Sequence, residues 1–351
     1  MERFVVGTGR CGSTLLSTML AEHPDALVLS EFFGGVNRPA CFPTKPLSGK
    51  QLASALSRGN LPSDYMRSQS IRLKESLHDM SSDMVDEYHS PPTIVSIALA
   101  FISKDPEGLW RELIAEVATW PVRTAHDHYI ELFTWLQQRN GKKFWLERSG
   151  VSWEFFPQLR RTFPNAKFVH IHRDGLESAL SMQAFPYFHV ATSLFHDPPD
   201  RAEIEDIARY WNDRTDKNPL RRRNDNQPPT AAFGEYWSWQ IEQGFSVVPK
   251  LNADQYLDVW FEDLLADPRA TLTRIADFFE MGEAPGWMDK AIALMKPEVP
   301  SRFGSLPVED QVALERACLD GNILLQRRPS RFFQSVLDQV EELRGLAPKD
   351  D

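Results

Sequence analysis

A chain of 351 residues, 42% hydrophobic and 25% charged, has room for one large α/β domain or two small ones, with a sizeable core. Its net charge of −10 argues against nucleic acid or an anionic membrane surface as the main partner. An anionic ligand then needs a local basic pocket. Three widely spaced cysteines, Cys11, Cys41 and Cys318, exclude a disulfide framework and suit a reducing compartment.

Phe4-Val5-Val6 predicts a first strand, Gly7, Gly9 and Gly12 punctuate the turn after it, and Leu15, Leu16, Met19 and Leu20 have helical spacing. A strand starting at about residue 3 leaves no room for a signal peptide, and no apolar run would span a bilayer. A cytoplasmic protein is the expectation. Ala26 to Ser30 predicts a second strand ending at Glu31. Residues 34–64 read as loop with one short helix near 50–57, and 68–87 as loosely helical. Ile94 to Ile102 is apolar and suits either a buried strand or a helix. Pro106 to Trp120 and Thr124 to Arg139 predict amphipathic helices, the second with Tyr129, Leu132, Phe133 and Leu136 on one face.

Lys143 to Leu146 predicts a strand leading to Glu147-Arg148-Ser149, Phe155 to Phe163 a helix, and Lys167 to His172 a strand. Arg173-Asp174-Gly175 then opens a helix through Met182. Helices are expected at 202–216 and 231–246, with a mobile loop at 217–229 between them. A strand at Gln255 to Phe261, a helix at 269–280 and a mostly helical tail at 285–347 complete the chain. Alternating strands and helices imply a mostly parallel sheet. One domain, 1–351, with a helical insertion at about 40–135 after the second strand, is the economical organisation.

A strand, a Gly-rich turn and a helix N-terminus together make a cradle for phosphate or sulfate, since glycine lets backbone N–H groups approach the anion. Arg10 stands where a nucleotide-hydrolysing loop would end in Gly-Lys-Ser/Thr. In an open parallel sheet ligands bind at the carboxyl ends of strands. Arg10 to Thr14, Glu31, Arg148-Ser149 and Arg173-Asp174-Gly175 all fall at such ends. Arg10, Arg148 and Arg173 together would make a cationic pocket in an acidic protein.

GTGRCGSTLL resembles the 5′-phosphosulfate-binding loop of sulfotransferases that use 3′-phosphoadenosine 5′-phosphosulfate (PAPS), and HRDGLESALS resembles that family's 3′-phosphate motif through Arg173 and Ser181. The resemblance is to the bacterial and tyrosylprotein-type branch. It extends through His23-Pro24-Asp25, Glu31, Arg148-Ser149-Gly150 and Phe261-Glu262-Asp263-Leu264. Cys11 for Ser, Arg148 for Lys and Gly150 for Pro are departures. Gly150 also stands where the cytosolic branch carries its catalytic His, so a His-based mechanism is not expected.

The resemblance implies a P-loop-like α/β fold and sulfuryl transfer to an acceptor hydroxyl or amine, leaving 3′-phosphoadenosine 5′-phosphate (PAP), with no metal required. Glu31 matches the base; Arg10 and Arg148 would grip the phosphosulfate oxygens. Cys11, Gly12, Ser13 and Thr14 would hold the 5′-phosphate, Arg173 and Ser181 the 3′-phosphate, and Arg302 matches a segment that closes over the nucleotide. The acceptor, a small molecule, glycan, lipid or peptide, is not readable, nor is the oligomeric state. The aromatic residues Phe185, Tyr187, Phe188 and Phe195 hint at an apolar or ring-bearing acceptor.

Plainer readings compete. Ser13 and Thr14 suit helix caps, Glu31 a solvated strand end, Arg148 an ion pair with Glu147, and Arg173-Asp174 a surface ion pair. His170 and His172 share a strand face, but no third metal ligand is adjacent in sequence, which favours core histidines; His126 and His128 are given no role. Cys11 lies where a thiol's pKa falls, and reads as a Ser replacement. Arg221-Arg222-Arg223 reads as a solvated loop, and Tyr210, Trp211, Trp237 and Trp239 as packing. A P-loop kinase and a catalytically silent nucleotide-binding protein are the rival functions.

Overall fold

A computed structural model describes residues 1–35, 41–59, 63–64, 66, 84, 91–213, 220, 227–295 and 301–326. Five strands, β1 (Arg3–Val6), β2 (Ala26–Ser30), β3 (Phe144–Arg148), β4 (Lys167–His172) and β5 (Tyr256–Trp260), form one sheet in the order β2-β3-β1-β4-β5. Every pairing is parallel. The inner strands are apolar on both faces, the pattern expected when helices cover a parallel sheet on each side. On one face Phe4, Val6, Leu27 and Phe168 join a core with the Tyr129, Leu132, Phe133 and Leu136 stripe of the helix Ala125–Arg139. On the other, Val5, Val28, Val169 and Ile171 pack with Leu16, Met19 and Leu20.

The helices that position the site are α1 (Ser13–Ala21), α2 (Gly175–Gln183), α3 (Pro186–His196), α4 (Thr230–Phe245) and α5 (Val308–Leu324). α1 connects β1 to β2 on one side of β1, whereas β4 lies on the other side. The end of β1 is therefore a topological switch point, where crevices form in such sheets. A third core, with Trp237, Leu180 and Leu314, ties α2, α4 and α5 together.

Ile94 to Ile102 is helical: a π-helical turn at Val95–Leu99 runs into Ala100–Ile102. Its mostly buried, unperiodic sequence gives no local sign of that choice. The helix at 106 ends at Val117, earlier than its sequence pattern, the helix at 201 is described as far as Asp213, and Phe261–Ala266 forms a short helix of its own. Most of 217–229, all of 221–223 and 327–347 lie outside the described residues. Among the described residues, no helix is long and apolar enough to cross a membrane.

Candidate active site

A cleft of about 260 Å³ opens at the carboxyl edge of the sheet. Arg10, Ser13, Thr14, Glu31, Arg148, Arg173 and Ser181 all line it. The four polar clusters singled out in the sequence thus meet in one place, each delivered by the end of a different strand or its following helix.

The loop after β1 is held from below. The Gly7 N–H donates to Ser152 Oγ at 3.0 Å and the Gly9 N–H to Gln240 Oε1 at 3.2 Å. Gly12 has φ +91°, and a Cβ there would come within 2.2 Å of the Phe261 ring, so this turn requires glycine. Gly12 is also the N-cap of α1, which carries no side-chain cap and no acidic residue in its first turn. Ser13 and Thr14 are therefore inside the helix and do not cap it. Cys11 is buried with its thiol on the Thr8 carbonyl, and burial pushes its pKa up rather than down, outweighing the helix N-terminus. It is a packed side chain.

Arg148 is buried and gathers the hydroxyls of the cradle. Its guanidinium donates to Ser13 Oγ at 2.9 Å, to Thr14 Oγ1, and to Glu31 Oε1. The ion pair is with Glu31, not with the adjacent Glu147, because strand alternation sends neighbouring side chains to opposite faces. Glu31 has φ +60°, and its backbone N–H donates to the Arg148 carbonyl at 2.6 Å. Its other carboxylate oxygen accepts the Gly150 N–H at 3.0 Å. A Cβ at Gly150 would sit 3.0 Å from Oε1, and one at Gly34 2.4 Å from Oε2. Both glycines make room for this carboxylate.

Glu147, which the sequence offered only as an ion-pair partner for Arg148, has a different place. It accepts hydrogen bonds from the Ser149 hydroxyl and the Phe33 N–H, while Ser149 Oγ accepts the Gly34 N–H at 2.8 Å. These contacts pin the Glu31–Gly34 turn to the end of β3. Burial pushes the Glu147 carboxyl up to about 8.

At the opposite wall, Arg173 stacks over Phe261 with its Cζ 5.4 Å from the ring centroid, and lies 3.6 Å from Glu177. Its neighbour Asp174 caps α2 by accepting the Glu177 N–H at 3.1 Å. Ser181 Oγ accepts from Arg10 Nε at 3.1 Å, and the Arg10 guanidinium lies over Phe185. Arg302 is not among the cleft-lining residues; it donates to the Leu180 carbonyl at 2.9 Å, one residue before Ser181. Phe185, Tyr187 and Phe188 line the cleft, but Phe195 does not: it packs on Tyr236 and Trp239. Trp237 is buried in the core, as its packing assignment requires.

His170 and His172 are buried, and a third candidate ligand does stand beside them, supplied by another strand. Asp258 Oδ1 lies 2.9 Å from His172 Nε2 and 3.6 Å from His170 Nδ1. The parallel register of β4 and β5 pairs His170 with Asp258, which local sequence cannot show. His126 bonds Glu2, and His128 the Leu47 carbonyl.

A basic cradle at a Gly-rich switch-point loop, with no lysine in it and a carboxylate opposite, is an arrangement suited to an anion in a P-loop-like α/β fold. Residues 3–285 match the pattern of the Sulfotransferase family, and the chain belongs to it. No protein of curated function matches the sequence. Among solved structures, the sulfotransferase domain from the curacin biosynthetic pathway is 14% identical, with 88% of this chain and 82% of that one covered and a TM-score of 0.44. The sulfotransferase domain of the Synechococcus PCC 7002 olefin synthase is 18% identical, with 93% of each chain covered and a TM-score of 0.42. Mouse sulfotransferase SULT7A1, complexed with PAP, is 11% identical, with 97% and 88% covered and a TM-score of 0.40.

Proposed function

We propose that the chain transfers a sulfuryl group from PAPS to an acceptor hydroxyl, with Glu31 as general base. The observation that carries the reading is the convergence of Glu31, Arg10, Arg148, Arg173 and Ser181 with the uncapped N-terminus of α1 on one cleft.

The donor set suits a ligand with two separated anionic ends. Arg173 and Ser181 form one cationic and hydroxyl-bearing subsite, and the loop from Cys11 to Thr14 with Arg148 forms the other. Arg10 spans them through its bond to Ser181. PAPS supplies a sulfuryl group on an activated phosphate. The Glu31 side chain is 20% exposed and reaches the cleft, where it takes the proton of the acceptor hydroxyl. Arg148 and Arg10 stabilise charge developing on the leaving phosphate oxygen. First-turn N–H groups and the Ser13 and Thr14 hydroxyls hold the 5′-phosphate, placing positive ends of dipoles where the charge is greatest. Arg302 braces the end of α2 that carries Ser181. The two arginines take the place of the lysine and metal of phosphoryl-transfer loops. The unbridged, buried cysteines support a reducing, cytoplasmic setting.

The test is turnover of PAPS against sugars, lipids, phenols, amines and peptides, with product mass as the readout. A product heavier than its acceptor by one sulfuryl group supports the reading. Turnover that depends on ATP and Mg²⁺ and not on PAPS replaces it with a kinase. Tight PAP binding with no transfer to any acceptor replaces it with a silent binding protein.

A further inference from the structure

We propose that His170, His172 and Asp258 form a binding site for one divalent cation of the zinc class, on the edge of the sheet and outside the cleft. None of the three lines the cleft. The inference therefore stands whether or not the chain transfers sulfuryl groups.

The geometry is that of a three-ligand site. One ring nitrogen of each histidine and an Asp258 carboxylate oxygen all lie within 4.8 Å of one another. Zinc bonds of about 2.0–2.2 Å in tetrahedral geometry put ligand atoms about 3.4 Å apart. The observed separations of Asp258 Oδ1 from the two nitrogens, 2.9 and 3.6 Å, bracket that value. Side-chain adjustments of a few tenths of an ångström centre an ion among them. Two imidazoles and one carboxylate form a borderline donor set, which suits zinc and its neighbours. The same set is wrong for magnesium, which takes near-octahedral oxygen ligation.

The surroundings supply what such a site needs beyond its ligands. Both histidines are buried and rigid: His170 packs on Trp153 with centroids 3.9 Å apart, and His172 lies edge-on to Trp260. Trp260 Nε1 donates to Asp258 Oδ2 at 3.0 Å and holds the carboxylate against His172, whose Nε2 lies 2.9 Å from Oδ1 and 3.0 Å from Oδ2. The Asp258 side chain is 42% exposed, which gives the ion an entry path and leaves a coordination position for water. Tyr256 completes the shell. Its hydroxyl lies 2.8 Å from His170 Nδ1 and 3.3 Å from Asp258 Oδ1, and it yields the first contact when the imidazole turns its lone pair to the ion.

The consequence is a clasp between β4 and the edge strand β5. The residues that follow the site, Arg173 after His172 and Phe261 after Trp260, both line the cleft. An ion at the clasp fixes the two strand ends from which these residues project.

The experiment is dialysis of the tag-free full chain against Zn²⁺ alone, with metal measured by mass spectrometry, followed by Co²⁺ substitution and its visible spectrum. The expected result is one Zn²⁺ per chain. Asp258→Ala and His172→Ala should weaken it by more than roughly 100-fold, and Trp260→Phe by about 10-fold, the scale of losing a supporting contact. Co²⁺ should give the intense bands of a four- or five-coordinate site. Failure of the wild-type chain to retain Zn²⁺ overturns the proposal, as does undiminished binding in folded Asp258→Ala. Should the variants fail to fold, the wild-type spectrum decides: a weak six-coordinate Co²⁺ spectrum also overturns it, leaving Asp258 as a hydrogen-bonded strand clamp only.

Discussion

The Arg148–Glu31 pair and the His170–His172–Asp258 group both bury ionisable side chains on one parallel sheet, yet only the first opens onto the cleft. Arg148 and Glu31 sit at strand ends β3 and β2, where the backbone stops and side chains project into space. His170 lies within β4, under Trp153, where its contacts are with neighbouring strands. Burial of ionisable groups therefore has different uses. At the strand ends it strengthens charges aimed at a ligand; inside the sheet it binds two strands together.

Substitutions can break that contrast or sharpen it. The largest expected effect is at Glu31: Glu31→Gln should cut turnover by roughly two to four orders of magnitude and leave PAP affinity nearly intact. Steady-state kinetics with calorimetric titration checks both, and turnover like the wild type removes Glu31 as the base. Arg173→Ala should raise the dissociation constant of PAP by roughly 10- to 100-fold, the loss of charge-assisted hydrogen bonds. An unchanged constant takes Arg173 out of the binding site. Ser181→Ala should weaken PAP by about fivefold, the scale of one neutral hydrogen bond.

Glu147 gives a test in stability rather than activity. Its carboxyl is raised from 4.5 to about 8 by burial, so between those values the unfolded chain has released a proton that the folded chain keeps. Stability from this group is then greatest below pH 4.5 and falls by about 1.4 kcal/mol per pH unit as pH rises towards 8. Glu147→Gln removes that slope. The variant should gain stability relative to the wild type between pH 5 and pH 8 in urea titrations; a constant difference would show that Glu147 is ionised in the fold.

The strands were legible because buried parallel strands are continuous apolar runs: Ala26–Ser30 and Lys167–His172 have the bounds their sequence predicts. The cleft was legible for a related reason, since its polar residues directly follow those runs. What the chain conceals is lateral. Glu147 and Asp258 each have partners far away in sequence as well as near ones: Phe33 N–H for Glu147, the two histidines for Asp258. Periodicity along one strand carries no information about the residue that the register places opposite. The choice of Arg148 between Glu147 and Glu31 was hidden in the same way, because proximity in sequence and proximity across the sheet point to different acids.

Phe261 touches both halves of the cleft. Its ring rests where a Cβ on Gly12 would be, and the same ring carries the Arg173 guanidinium. The Gly12 turn and the Arg173 side chain therefore share one supporting ring. Substitutions of Phe261 and Arg173 should not add, and the deficit in a double-mutant cycle measures that coupling. A substitution that moves this ring therefore disturbs both walls of the cleft.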